Sequence, residues 1–295
     1  MPSSTASLID QSQFDSIPDV IQAFRTFSNH HLNPTEPPPL LLRLFFPVVY
    51  GSSSSSSFKI LRLSYTRAPN PANLFPPPFP GTPKTGQGQF VVVLDDPTRE
   101  NEADLIIAAE AVTTQQMAFM VRHSSGLICA PILPARTQQL ELPQMVAHNE
   151  DLRTTAYTIS VDAAHPSVTT GISAHDRALA CRALADESAT PLSFRRPGHV
   201  FPLRAKPGGV RQRRGHTEAA IDLCRLASKK PAAVICELVE DGLEVPGQAV
   251  REEPDMLRGE ACVEFARRWG LKVCTIADMV LYLEKTEGKL QLNGS

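Results

Sequence analysis

The sequence predicts an α/β fold in which one mixed β-sheet is flanked by helices. From residue 90 to residue 284, short apolar runs typical of buried strands alternate with longer amphipathic runs typical of helices. This alternation is the pattern expected when helices pack on a sheet. Because the chain has 295 residues, of which 42% are hydrophobic, it can bury a sizeable core within a single domain.

Individual elements are predicted from apolar periodicity and from capping residues. In segment 11–26 the apolar residues recur at helical spacing, which predicts a first helix. Thr114 and Ser173 are expected to cap the starts of two later helices, and Gly270 is expected to end another. The remaining predictions are strands at 90–95, 157–162, 233–238 and 272–275, and helices at 114–123, 173–185, 216–227, 258–269 and 277–284.

One long segment is expected to lie outside the packed domain. Residues 27–88 contain 12 of the 26 prolines and the serine run Ser52–Ser57, a composition that does not support packed structure. We interpret this segment as a disordered insertion, which is either a lineage-specific surface loop or a translated intron. The N-terminal tail and helix, 1–26, then belong to the folded domain at 89–285, and 286–295 form a C-terminal tail.

Composition limits the classes of function. A formal net charge of −2 gives no electrostatic basis for binding nucleic acid or an acidic membrane surface. The six cysteines are scattered through apolar segments without a C-x-x-C pair, which indicates buried reduced thiols. Cys129 stands out because it follows the Ser124-Ser125-Gly126 turn. No secretory signal is evident, and the longest apolar run, 38–50, is too short to cross a bilayer, so we expect a soluble cytoplasmic protein.

Residues 95–104 form a dense charge cluster. This segment places five carboxylates and one arginine directly after the apolar run 90–94. Burying so many like charges without partners costs desolvation energy. A divalent cation held by the carboxylates and a phosphorylated substrate held by Arg99 explain both signs of charge. Alternatively, the segment is an acidic loop whose charges are exposed to water and have no function. The segment by itself leaves both interpretations open.

A second segment, 195–218, is basic and rich in glycine. It contains two Gly-His pairs and ends where a helical pattern begins. Glycines before a helix allow backbone N–H groups to approach an anion, and the helix N-terminus adds a favourable partial charge. Arg213 and Thr217 are placed to bind phosphate oxygens, and His216 can supply an imidazole nitrogen to a metal ion.

With these segments the chain resembles the 3,4-dihydroxy-2-butanone 4-phosphate synthase family in its monofunctional fungal-like form. The resemblance covers residues 90–284 almost continuously, with 14–25 as a displaced N-terminal helix. The matching motifs are LDDPTRENEADLIIAAE (94–110), RHSSGLIC (122–129), VTTGISAHDRA (168–178), FRRPGHVFPLRA (194–205), RRGHTEAAIDL (213–223), VICELVEDG (234–242) and ARRWGLKVCTIADMVLYLE (266–284). Segment 242–259 is longer than the family's turn and is interpreted as a second surface insertion. The GTP cyclohydrolase II domain that is fused in some bacterial relatives is not expected.

The resemblance implies a lyase of riboflavin biosynthesis. Its reaction converts D-ribulose 5-phosphate to L-3,4-dihydroxybutan-2-one 4-phosphate and formate. Mg²⁺ or Mn²⁺ is implied as the cofactor, because a cation stabilises the negative charge of enediolate-like states. The resemblance also implies a homodimer with sites near the subunit boundary. Neither nucleic acid nor a membrane is expected as a partner.

Motif by motif, the resemblance assigns roles within the catalytic domain at 89–285. Glu100 and His216 are the implied metal ligands. His199 and Glu237 match catalytically essential positions, and Glu102 lies close enough to assist proton transfer. The implied substrate contacts are Arg99, Glu100, Asp104, Arg213, Arg214, Gly215, His216, Thr217 and Glu237. Structural roles stay open for two of these residues, since His199 could brace its turn and Glu237 could form a salt bridge.

Two other functions stay open on sequence grounds. The first is another divalent-metal sugar-phosphate isomerase or aldolase built from the same kinds of residue, from which formate release would distinguish the lyase. The second is a non-catalytic binding protein on the same fold. The retained charges argue against a binding protein, because a site without chemistry has no physical reason to keep paired charges.

Overall fold

A seven-stranded mixed sheet organises the computed structural model, which describes residues 11–25 and 89–290. The described residues form the strands of this sheet and of two small two-stranded pairs. In chain order the strands are β1 (Val91–Leu94), β2 (Ala103–Ala108), β3 (Cys129–Ile132), β4 (Val161–Ala163), β5 (Phe194–Arg204), β6 (Ala233–Glu237), β7 (Val239–Glu240), β8 (Leu243–Glu244), β9 (Arg251–Glu252), β10 (Asp255–Met256) and β11 (Lys272–Thr275). The order across the main sheet is β11-β1-β2-β6-β3-β5-β4. The pairs β1–β11 and β3–β5 are parallel and the others are antiparallel, which confirms the predicted mixed sheet.

Helices pack on both faces of this sheet. They are α1 (Ile17–Arg25), α2 (Thr114–His123), α3 (Pro134–Gln139), α4 (Ala174–Ala185), α5 (His216–Leu226), α6 (Glu260–Trp269) and α7 (Ile276–Glu287). Alternate residues of β1 point to opposite faces, as expected for a strand. Val92 and Leu94 join the core with α2, α4 and α6, whereas Val91 and Val93 join the core with α1, α5 and α7. The sheet is therefore the middle of three layers.

The helix ends agree with the sequence analysis at two of three predicted capping residues. Ser173 caps α4, because its side chain accepts a hydrogen bond from the N–H of Asp176. Gly270 ends α6 in the left-handed conformation, with φ of 63°. The prediction for Thr114 was wrong: Thr113 caps α2, and Gln116 completes a reciprocal capping box with it. Helix α1 begins at Ile17, later than predicted, since residues 11–13 form a 3₁₀ turn.

The strands show larger differences from the sequence analysis. The strand predicted at 157–162 is confined to Val161–Ala163, because residues 157 and 158 make only isolated bridges. The long strand β5 was not predicted, since Pro197, Gly198 and Pro202 lower the strand propensity of its segment. Strands β2 and β3 were also missed.

Several predicted segments fall wholly or partly outside the described residues. The predicted insertion at 27–88 and the tail residues 291–295 lie outside them, as do residues 1–10 and 26. Segment 242–259 is described and is largely exposed: β8 pairs with β9 inside it, and β10 pairs with β7, which comes just before it. Within the described part of the chain, none of the helices has both the length and the apolar content to cross a membrane.

Candidate active site

The strand register brings together three ionisable residues from distant segments. Asp104 of β2 is paired with Val93 of β1 on one side and with Glu237 of β6 on the other. His216, the first residue of α5, reaches the same place, since its Nε2 lies 3.1 Å from the carbonyl oxygen of Val93. Its Nδ1 lies 3.5 Å from Oδ1 of Asp104. Two carboxylates and one imidazole thus meet at the end of neighbouring strands.

Burial sets the protonation state of His216. The carbonyl oxygen of Val93 can only accept a hydrogen bond, so Nε2 carries the ring proton and Nδ1 presents its lone pair. Burial penalises the charged imidazolium and lowers the pKa of His216 from 6.5 to about 4. The ring is therefore neutral at pH 7, which is the form that can bind a metal ion.

Asp104 is the most buried carboxylate of this group, at 2% exposure. Burial raises the pKa of Asp104 well above 3.8, and the negative charges of Glu237, Glu100 and Asp95 raise it further. Among the described residues, its Oδ1 has no hydrogen-bond partner. An unpaired buried oxygen is costly in a folded protein, so this atom is suited to contact a bound ligand or cation.

Asp95 shapes the acidic loop that follows β1. Its carboxylate accepts hydrogen bonds from the N–H groups of Glu100 and Glu102, at 3.2 and 3.0 Å. It also accepts from Nη1 of Arg99 at 2.7 Å, and Arg99 in turn pairs with Glu100. The loop is therefore folded around the buried carboxylate of Asp95. It is not the solvated acidic loop that the sequence alone left open.

The start of α5 forms the basic wall of the site. Gly215 is the N-cap of this helix, and His216 and Thr217 occupy its first turn in buried positions. Arg213 is fixed beside the helix, since its Nη1 lies 2.6 Å from Oε2 of Glu218, whose side chain is 1% exposed. Backbone N–H groups at a helix N-terminus favour a bound anion.

These groups line one polar cleft with a volume of about 150 Å³. Of the residues to which the resemblance gives a site role, seven line it: Arg99, Glu100, Asp104, Arg213, His216, Thr217 and Glu237. Glu100 and His216, the two implied metal ligands, are thus in the same cleft. A second, open pocket of about 430 Å³ is lined by the exposed loop 244–251 and includes none of these residues.

Four other residues singled out by sequence do not line this cleft in the described structure. Glu102 forms an ion pair with Arg258 at 3.1 Å, and partial burial raises its pKa although Arg258 opposes that effect. Arg214 is exposed, and Gly215 contributes the helix cap. His199 lies on β5, where its Nδ1 is 2.9 Å from Oδ2 of Asp162. The sequence-based roles of these residues stay predictions.

The wall of the cleft formed by residues 151–157 was not predicted from the sequence. Asp151, Arg153, Thr155 and Tyr157 all line the cleft. Residues 151–156 lie in a loop without periodicity, so no pattern in the sequence marks them, and Tyr157 was predicted only as the first residue of a strand. Ser125 was also missed as a contact of Glu237: its Oγ donates to Oε2 at 2.9 Å.

Cys129 lines the cleft, but the structure gives it no nucleophilic character. Burial raises the pKa of the thiol well above its usual value, and nearby Glu237 raises it further. All six cysteines are buried free thiols, which confirms the sequence prediction.

The cleft fits a divalent cation with few protein ligands. His216 donates its Nε2 proton to a backbone carbonyl, as metal-binding histidines commonly do, and so directs Nδ1 towards Asp104. Carboxylate oxygens from Glu100 and Asp104 are available in the same cleft. The described residues include no group of three or more His, Cys, Asp or Glu arranged around one ion position. Such a donor set suits Mg²⁺, which keeps several water or substrate ligands.

Fold and cleft together define an α/β protein whose site is suited to a phosphorylated ligand and a divalent cation. Comparison with known proteins is more specific. The sequence profile of the 3,4-dihydroxy-2-butanone 4-phosphate synthase family matches residues 83–282. The enzyme of that name from Pyricularia oryzae is 75% identical over 208 residues, which cover 70% of this chain and 89% of the relative. The Schizosaccharomyces pombe enzyme of the same name is 53% identical, over 67% of this chain and 92% of the relative.

Solved structures agree with the sequence comparison. A crystal structure of 3,4-dihydroxy-2-butanone 4-phosphate synthase in complex with two magnesium ions has a TM-score of 0.72 and 58% identity, covering 94% of this chain and all of that one. The chain belongs to the 3,4-dihydroxy-2-butanone 4-phosphate synthase family, whose enzymes act in riboflavin biosynthesis. This finding confirms the resemblance seen in the sequence.

Proposed function

We propose that this chain is a lyase that converts D-ribulose 5-phosphate to L-3,4-dihydroxybutan-2-one 4-phosphate and formate. The reaction needs no oxidant or second substrate, since the carbons of the pentulose are divided between the four-carbon product and formate. The observation that carries the proposal is the convergence of Asp104, Glu237 and His216 beside the first turn of α5 in one cleft. Membership in the family supports it.

The acidic side of the cleft is suited to moving protons on the sugar. Glu237 ends β6, and the hydrogen bond from Ser125 orients its carboxylate. Asp104 is paired with it across the strands and, because its pKa is raised, can remain protonated at higher pH than an ordinary aspartate. One carboxylate can therefore accept a proton while its neighbour donates one, which is the arrangement that enolisation and dehydration require.

The basic side of the cleft is suited to the phosphate group. The N–H groups in the first turn of α5 and the hydroxyl of Thr217 can donate to phosphate oxygens. Arg213 holds this turn in place through Glu218. Binding the phosphate here would place the carbon chain towards the carboxylates, since both sets of residues line the same cleft.

We propose that Glu100 and His216 hold Mg²⁺ or Mn²⁺. A relative's structure is described as a complex with two magnesium ions, which supports a divalent cation here. When bound, the cation supplies electrostatic stabilisation for negative charge on the sugar oxygens. His216 contributes a neutral ring with a fixed proton position, and Arg99 helps to orient Glu100.

We further propose a cytoplasmic homodimer. Six buried free thiols are consistent with a reducing compartment. The position of His199 outside the cleft supports a second copy, because a catalytic role for this residue then requires the cleft of a partner.

The experiment for this function measures formate. Purified protein is incubated with ribulose 5-phosphate after treatment with chelator, and again after Mg²⁺ is restored. We expect formate and the four-carbon phosphate in equal amounts, only with the cation. Glu100→Gln should abolish this turnover, whereas Glu264→Gln, at an exposed position of α6, should not. Conversion to another pentose phosphate without formate would instead identify an isomerase.

A further inference from the structure

Arg153 stands on a loop whose backbone is anchored to the basic wall of the cleft. Nε and Nη2 of Arg213 donate to the carbonyl oxygen of Arg153, at 3.1 and 3.0 Å. The loop is also closed on itself, since the N–H of Thr155 donates to Asp151 at 2.7 Å and Asn149 donates to the carbonyl oxygen of Thr155 at 2.8 Å. The main chain at Arg153 is therefore fixed without the help of its own side chain.

The three arginines that line the cleft differ in how firmly they are paired. Arg99 is committed to Asp95, at 2.7 Å, and Arg213 to the buried Glu218, at 2.6 Å. Arg153 makes a longer contact, with its Nε 3.4 Å from Oε1 of Glu100, and its Nη2 donates to the carbonyl oxygen of Arg99. Its side chain is 41% exposed. An exposed ion pair of this kind is weak, so Arg153 is the arginine of the cleft that can most easily change partners.

Glu100, the partner of Arg153, is also a proposed metal ligand. A guanidinium and a divalent cation repel each other, so binding of the cation at Glu100 weakens the contact with Arg153. Arg153 then stays at the cleft, because its backbone is held by Arg213. The strongest new partner available there is the phosphate dianion of the substrate, which a planar guanidinium binds through two parallel hydrogen bonds.

We infer that Arg153 is a further substrate-binding residue, which pairs with Glu100 until the cation arrives and then with the substrate phosphate. The identity of this substrate rests on the proposed function. Arg153 thereby links occupation of the metal position to binding of the phosphorylated substrate.

The test compares Arg153→Gln with Arg267→Gln, which removes the same charge from an exposed position of α6. Calorimetric titration of Mg²⁺ into chelator-treated protein without substrate should show about two- to fivefold tighter binding for Arg153→Gln, because a competing cation is gone. With Mg²⁺ saturating, inorganic phosphate should bind about tenfold or more weakly, and KM for ribulose 5-phosphate should rise by a similar factor. Arg267→Gln should match the wild type in all three measurements.

Two results would overturn this inference. One is unchanged or weaker Mg²⁺ affinity in Arg153→Gln, and the other is unchanged phosphate affinity and KM. Either result can be told apart from a failure of the proposed function. The proposed function is judged by whether the wild-type protein releases formate from ribulose 5-phosphate. The calorimetric measurements do not depend on turnover.

Discussion

At the scale of single residues, burial decides the chemistry of the cleft. His216 is neutral because burial lowers its pKa to about 4, and its proton position is fixed by Val93. Asp104 is pushed towards its neutral form by burial and by the carboxylates around it. A bound cation would favour the ionised form of Asp104 and the free lone pair of His216 at once. The positions of Asp104 and His216 are therefore suited to a bound cation.

The depressed pKa of His216 predicts a pH dependence of stability in the metal-free protein. Between pH 6.5 and about 4 the unfolded chain binds a proton on this ring that the folded chain does not. The free energy of unfolding should therefore fall as the pH falls through this window, by up to about 3 kcal/mol from this residue. Asp104 acts in the opposite direction, since its raised pKa lets the folded state keep a proton.

Urea unfolding of the chelator-treated wild type and of His216→Asn isolates the contribution of His216 to the pH dependence of stability, because Asp104 is present in both proteins. We expect the variant to lose less stability than the wild type between neutral pH and pH values near 4. Equal losses in the two proteins would show that the ring is not held neutral by the fold.

Ser125 and Ser124 offer a matched pair for the orientation of Glu237. Oγ of Ser125 donates to Glu237 at 2.9 Å, whereas Oγ of Ser124 donates to the carbonyl oxygen of Met120 at 2.5 Å. Ser125→Ala should lower kcat about three- to tenfold with less change in KM, because a hydrogen bond to a charged group is lost. Ser124→Ala should cost about 1 kcal/mol of stability and leave kcat unchanged. Steady-state kinetics that fail to separate the two variants would contradict this role of Ser125.

At the scale of elements, the register of β1, β2 and β6 assembles the site. Asp104 meets both Val93 and Glu237 only because these strands pair in this register. The loop between β1 and β2 then carries Arg99 and Glu100 over the same end of the sheet. A shift by one residue would send Asp104 to the opposite face.

Charged segments were easier to predict from the sequence than the residues that lie next to them in space. The acidic cluster and the glycine-rich start of α5 were visible because charge and glycine stand out locally. The pairing of Asp104 with Glu237 was not visible, since strand register depends on contacts between distant segments. The position of Arg153 in the wall of the cleft was not predicted for the same reason, because it depends on a contact with Arg213, which lies 60 residues further along the chain. Strand β5 was missed because its prolines and glycine oppose strand propensity.

Two glycines test whether local backbone geometry serves the site or only the fold. Both have positive φ, 89° at Gly171 and 63° at Gly270. A Cβ at Gly171 would overlap Oδ2 of Asp162 and lie 2.6 Å from Nδ1 of His199, whereas nothing lies within 4 Å of a Cβ at Gly270. Gly270→Ala should cost about 1 kcal/mol and leave turnover unchanged. Gly171→Ala should lower both stability and turnover.

Thermal unfolding and formate release, measured on both glycine variants, provide the comparison. Wild-type turnover in folded Gly171→Ala would mean that the position of the Asp162–His199 pair does not matter for the reaction.

At the scale of the whole molecule, His199 lies outside the cleft although its strand contributes Leu203 to it. His199 lies on β5, next to the edge strand β4, and its side chain is 41% exposed. The cleft is lined from the sheet by residues of β2, β3, β5 and β6, and on β5 the lining residue is Leu203. In the proposed homodimer, His199 of one copy would complete the cleft of the other.

Mixing two inactive variants tests this arrangement. His199→Ala and Glu237→Gln, co-expressed with different tags, form mixed dimers in which one cleft has both residues intact. We expect activity to return to about a quarter of the wild-type level after random pairing. If His199 served the cleft of its own chain, the mixture would stay inactive, as each variant does alone.

Crystals of the protein grown with Mn²⁺ and ribulose 5-phosphate test the shared cation site most directly. Anomalous scattering locates Mn²⁺ independently of the protein atoms. We expect a peak within about 2.5 Å of both a Glu100 oxygen and Nδ1 of His216, next to the first turn of α5. A fully occupied Mn²⁺ position that contacts neither residue, in crystals that contain the sugar phosphate in the cleft, would contradict it.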